Sequence, residues 1–82
     1  MAVPGVEIHL FAAARAAVGR SVIVADAAPL TDILDGIEAA HPDFAPVRQR
    51  CTYLIDGLAA HDADVDVTSG SRVDVLPPFA GG

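Results

Sequence analysis

The sequence closes on Leu76-Pro77-Pro78-Phe79-Ala80-Gly81-Gly82, and the group there with the clearest chemistry is the α-carboxyl of Gly82. A carboxyl of pKa near ~3.5 is ionised at neutral pH and is a poor electrophile until activated. Adenylation by ATP would supply a leaving group, and a sulfur nucleophile could then turn the acyl-adenylate into a thiocarboxylate. The preceding residues suit delivery of that group into another protein. Pro77 and Pro78 favour a polyproline-like path rising about 3.1 Å per residue, so the segment is expected to project. Residues 77–82 would then reach roughly 20 Å, at about 3.3–3.6 Å each. Phe79 is placed to anchor in a partner's apolar pocket, with small Ala80 behind it. Gly81 and Gly82 lack a Cβ and so fit a narrow channel. A Gly-Gly ending arises by chance in about one chain in 200.

No other residue set in the chain supports chemistry of its own. Asp62, Asp64 and Asp66 imitate the opening of a calcium loop, but the positions that need Gly and Glu hold Val67 and Val73. His9, His41 and His61 are scattered, without the spacing of metal ligands. Cys51 lies among apolar residues in an expected strand, the setting of a buried structural thiol. There is no glycine-rich phosphate loop. The expectation is a chain with no catalytic residues, no metal and no bound cofactor, with ATP used by an activating partner.

Size and charge agree with that division of labour. A chain of 82 residues makes one domain, and folding buries only about 60–65% of its unfolded surface, leaving little room for an enclosed site. The 52% hydrophobic content argues against disorder. A net charge of −6, from eleven acidic residues against five arginines and no lysine, disfavours nucleic acid and favours a basic protein partner. The absence of lysine also removes any side-chain amine that an activated carboxyl could acylate within the chain. A single cysteine forms no intrachain disulfide, and no apolar run is long enough to span a membrane, so a cytoplasmic protein is expected.

The elements that would position the tail follow from periodicity. Val6, Ile8 and Leu10 alternate with Glu7 and His9, the pattern of a half-buried strand. Residues 11–18 are Ala-rich and read as a loop or a single helical turn ended by Gly19. Residues 21–25 hold a β-branched run that suits a second strand, in a hairpin with the first. Leu30, Ile33, Leu34 and Ile37 fall on one face of a helix over residues 30–40, with Thr31 or its predecessor as cap. Gly36 costs about 1 kcal/mol inside a helix, which predicts a packing reason for it. Pro42 stops the helix. Residues 44–50 read as an irregular turn anchored by Phe44 and Val47. A strand over residues 51–55, an Asp56-Gly57 turn, a brief strand at Val65 and Val67, and a last strand around Val73 and Val75 complete the order. Pro77-Pro78 ends that strand. The result is an α+β fold with one main helix on one face of a mixed sheet of four to five strands. The domain covers residues 1–76 and the protruding tail residues 77–82.

Taken together, these features resemble the MoaD/ThiS family of sulfur carriers, which has the ubiquitin-like β-grasp fold. The first strand, Phe11-Ala12-Ala13-Ala14-Arg15 and Val18-Gly19 are similar to the family's F-A-x-x-R…G segment. Ser69-Gly70-Ser71-Arg72-Val73 corresponds to its D-G-D-x-V lead into the final strand, with serines in place of the acids. Asp56 stands where the family usually has Asn. The tail is similar to that of the small subunit of molybdopterin synthase. The resemblance implies that an E1-like enzyme adenylates Gly82 and a sulfurtransferase supplies sulfur. The large synthase subunit would receive the tail, and the thiocarboxylate would provide the dithiolene sulfurs of molybdopterin. Three alternatives stand beside it. One is the same chemistry for thiamine, cysteine or a secondary metabolite. The others are a ubiquitin-like modifier that acylates lysines and a binding module with an inert tail.

Overall fold

The computed structural model describes residues 5–78. Its elements in chain order are β1 (Val6–Leu10), α1 (Ala12–Val18), β2 (Val22–Ala25), β3 (Ala28–Pro29), α2 (Leu30–Ala40), α3 (Phe44–Arg48), β4 (Thr52–Ile55), β5 (Leu58–Ala59), β6 (Asp66–Val67) and β7 (Arg72–Leu76). Five strands form one sheet in the order β2-β1-β7-β4-β5, and β3 and β6 form a separate antiparallel pair. Among the described residues only β1 and β7 run parallel; the β1–β2, β4–β7 and β4–β5 pairs are antiparallel. This is the ubiquitin-like β-grasp, a mixed five-stranded sheet with its main helix on one face.

Alternation in the strands makes the core. Val6, Ile8 and Leu10 of β1 and Val73 and Val75 of β7 are buried, and they join Leu30, Ile33, Leu34 and Ile37 of α2 in one cluster. Val67 of β6, Phe44 of α3 and Ala14 and Val18 of α1 complete it, Phe44 with no exposed surface. Each of the large side chains among them contributes about 1.5–3 kcal/mol by leaving water. Arg48 of α3 ties the two helices together, its Nη1 donating to Asp35 Oδ1 at 2.9 Å and Glu38 Oε1 at 3.1 Å.

The structure differs from the sequence reading in several places. Residues 12–18 form a seven-residue helix, about two turns, rather than a loop or one turn. Ala14 and Val18 provide its buried face, and Gly19, at φ 82°, ends it with its N–H donated to the Arg15 carbonyl at 2.7 Å. Residues 44–48 are likewise helical. The start of α2 is not capped by a side chain. Instead the N–H groups of Leu30 and Thr31 donate to the carbonyls of Val65 and Ala63, each at 2.9 Å, and the Thr31 hydroxyl donates to Ala63 at 2.7 Å. Gly36 has no packing reason, because a Cβ there would point into open space. The brief strand expected around Val65 and Val67 comprises Asp66 and Val67.

Candidate functional site

The tail is rooted in the middle strand of the sheet. Two neighbours hold β7, β1 in parallel and β4 antiparallel, and the last rung sets Thr52 opposite Leu76. On the other side the Phe11 N–H donates to the Val75 carbonyl at 3.3 Å. The next residue, Pro77, has no N–H to extend either ladder. The chain therefore leaves the sheet at that point, with Pro77 half-buried and Pro78 exposed, neither in regular structure. Phe79, Ala80, Gly81 and Gly82, and with them the expected projection of the tail and its working carboxylate, lie outside the described residues.

The opposite end of β7 is clamped by the turn between β4 and β5. Asp56 and Gly57 both have positive φ, 50° and 84°, the geometry of the tight hairpin turn that favours an Asp-Gly pair. The Asp56 N–H donates to the Arg72 carbonyl at 2.8 Å, and the Arg72 N–H donates back to Asp56 Oδ1 at 2.9 Å. That backbone hydrogen bond, with a second from the Ser71 hydroxyl, holds the Asp56 carboxyl below its ordinary pKa. With both ends fixed and both edges paired, β7 is held rigidly up to Leu76, where the chain enters Pro77 and Pro78.

Two residues at that base were not among the expected site residues. Phe11, at the junction of β1 and α1, is 39% exposed beside the tail root. Thr52 flanks it on the other side and is also exposed. The F-A-x-x-R segment was the available signal for Phe11; no local signal marks Thr52.

The rejected leads have structural roles. The Cys51 thiol donates to the Val47 carbonyl at 3.2 Å, and burial pushes its pKa up, which disfavours the nucleophilic thiolate. The Tyr53 hydroxyl donates to the Arg48 carbonyl at 2.7 Å, so together they pin the end of α3 to β4. Asp62 Oδ1 accepts the Asp64 N–H at 2.9 Å within a turn. His9 contacts Glu7 at 3.0 Å. Among the described residues, no group of three His, Cys, Asp or Glu side chains is placed to hold a metal. Among them, too, no helix is long and apolar enough to cross a membrane.

The ThiS family model matches residues 8–82, nearly the whole chain. The protein belongs to the ThiS family. It is thus one of the small ubiquitin-like sulfur carriers and modifiers, which are generally non-catalytic. No curated protein matches its sequence. Solved structures similar to this ThiS-family chain include the crystal structure of SAMP1 from Haloferax volcanii, at 26% identity and a TM-score of 0.82, covering 95% of this chain and 99% of that one. The Haloferax volcanii HVO 2177 protein is 28% identical, with a TM-score of 0.77 and coverage of 94% and 85%. A Helicobacter pylori complex of subunits 1 and 2 of molybdopterin-converting factor contains a chain of the same fold, at 17% identity and a TM-score of 0.69, covering 94% and 97%.

Proposed function

We propose that this ThiS-family chain carries sulfur on Gly82 for molybdopterin biosynthesis. An E1-like enzyme joins the Gly82 carboxylate to AMP, releasing pyrophosphate from ATP. A persulfide on the sulfurtransferase then attacks the acyl carbon and AMP departs; a second thiol cleaves the resulting acyl disulfide, leaving the thiocarboxylate on Gly82 and a disulfide on the donor. The large synthase subunit receives the tail, with Pro77, Pro78, Phe79, Ala80 and Gly81 threading into it and Gly82 at the reacting end. Catalytic groups belong to these partners, and this chain supplies shape and reach. The observation that carries the reading is the rooting of a Pro-Pro-Phe-Ala-Gly-Gly segment in the central strand, between Phe11 and Thr52. The family match running to Gly82 supports the carrier chemistry. The likeness to a subunit of the Helicobacter pylori complex supports a larger synthase partner.

A second reading has support of its own. SAMP1 is named a small archaeal modifier protein, and its likeness to this chain favours acyl transfer to a protein amine. Intact-mass analysis separates the two. After incubation with a candidate activating enzyme, ATP and a sulfur donor, the carrier gains the mass of one oxygen replaced by sulfur, and deletion of Gly82 abolishes the change. A modifier gives higher-mass conjugates in cell extracts that vanish with the same deletion. If no plausible activating enzyme produces the sulfur exchange, the carrier reading is wrong.

A further inference from the structure

Among the described residues, strand β2 forms one edge of the sheet and pairs with β1 alone. Natural edge strands are commonly protected by charges, prolines or bulges, yet Val22, Ile23, Val24 and Ala25 carry none of these residue types. The pairing pattern shows which backbone groups remain unused. The Leu10 N–H donates to the Ser21 carbonyl at 2.8 Å, and the register pairs Ile8 with Ile23 and Val6 with Ala25. In an antiparallel ladder bonded pairs alternate with non-bonded ones. Ser21, Ile23 and Ala25 therefore point their backbone groups at β1, and Val22 and Val24 point theirs outward from the sheet edge. The side chains of Val22 and Val24 are also exposed, at 43% and 57%.

The chemistry of residues 20–26 is symmetric about Ile23. Valines flank Ile23, the small residues Ser21 and Ala25 come next, and Arg20 and Asp26 close the segment with opposite charges. We propose that β2 is a self-association edge, where a second copy of this chain adds its own β2 antiparallel about a two-fold axis at Ile23. Val22 of each copy then lies opposite Val24 of the other, and their free N–H and C=O groups exchange hydrogen bonds. Arg20 of each copy lies opposite Asp26 of the other; both side chains are exposed and flank the strand, two residues from the nearest valine. A shift by one residue breaks the Arg20–Asp26 match and sets Arg20 against Ala25 or Ala27, so charge fixes the register.

The paired surface is narrower than the roughly 1,200 Å² of a stable interface, so association is weak and concentration-dependent. The product is one continuous sheet of ten strands, five from each copy. Its two β7 strands stand five strand spacings apart, about 24 Å, and the two-fold axis points their C-terminal ends in opposite directions. Dimerisation therefore leaves Leu76 of both copies away from the new seam, and the inference does not depend on what Gly82 carries.

Sedimentation velocity on the full chain, from micromolar to millimolar concentration at low salt, reads the association directly. The expected result is a monomer–dimer equilibrium, with hydrogen exchange at the Val22 and Val24 amides slowing as the dimer fills. R20D and D26R each place like charges opposite one another and weaken association about tenfold, while the R20D/D26R double variant restores it. Circular dichroism confirms that each variant remains folded. Three results would overturn the proposal. These are a monomer at every concentration, a dimer that protects other amides, or a double variant no better than the single ones.

Discussion

Thr52 and Leu76 face each other across the last rung of the sheet, and the very next residue on the Leu76 side is a proline. The paired, rigid part of the chain thus ends one residue before its stiff, unpaired part begins. No stretch of freely rotating backbone separates Leu76 from Pro77, so the sheet sets where Pro77 begins.

Under the proposed carrier function, replacing Pro77 and Pro78 together with glycine should weaken the encounter with the activating enzyme and spare the fold. The two prolines lie beyond the ladder, so the unfolding midpoint should stay close to that of the native chain. A looser tail must be ordered on binding, which raises KM several-fold while kcat changes little. Steady-state kinetics of adenylation test this, and an unchanged KM would remove preorganisation from the account.

Gly36→Ala should stabilise the protein by about 1 kcal/mol, the helix-propensity gain with nothing to clash. Gly19→Ala should act in the opposite sense by about 1–2 kcal/mol, because its φ of 82° is left-handed. Urea unfolding of the two variants, compared with the native chain, measures both signs.

Tyr53→Phe removes the hydroxyl that donates to the Arg48 carbonyl and should cost about 1 kcal/mol. Burial, followed by the neighbouring Cys51, raises the phenol pKa above its ordinary 10.0. The folded state therefore holds this proton more tightly than the unfolded state. Its contribution is complete below the unfolded pKa and is lost as pH rises through the folded value. Urea midpoints measured on either side of pH ~10 should fall more steeply for the native chain than for the Phe variant.

Asp56 behaves in the reverse direction. Its pKa is lowered by the Arg72 N–H first and the Ser71 hydroxyl second, so its contribution is present above the ordinary carboxylate pKa. That contribution fades as pH falls through the folded value. Asp56→Asn keeps an acceptor oxygen and tolerates the positive φ but cannot ionise. The variant should melt below the native chain at neutral pH, and the gap should close in acid. A gap independent of pH would show that the charge contributes nothing.

How much of this was legible before any coordinates depended on the range of the interaction. β1, α2 and β7 were readable because large apolar residues repeat with the period of their own element. Helix α1 was misread because its buried face is only Ala14 and Val18, and alanine occupies its exposed positions too, which erases the contrast that marks a helical stripe. The two-residue strands β3 and β5 were missed because they are too short to show a period. The cap of α2 was assigned to a nearby side chain, whereas the acceptors are carbonyls of Ala63 and Val65, some thirty residues away. The tail's composition was plain from the sequence. Its neighbours at the root were not, since Phe11 reaches Val75 through a parallel pairing that local patterns do not encode.

The central position of β7 also sets the order of events during synthesis. Among the described residues every other element precedes it in the chain, yet both halves of the sheet close upon it. A nascent chain that lacks β7 has an orphaned β1–β2 hairpin and a stranded β4–β5 hairpin, with no template to join them. Folding must wait for that segment to emerge from the ribosome, and its non-local pairings make the final step slow. The segment that completes the domain is also the one that leads into Pro77 and Pro78.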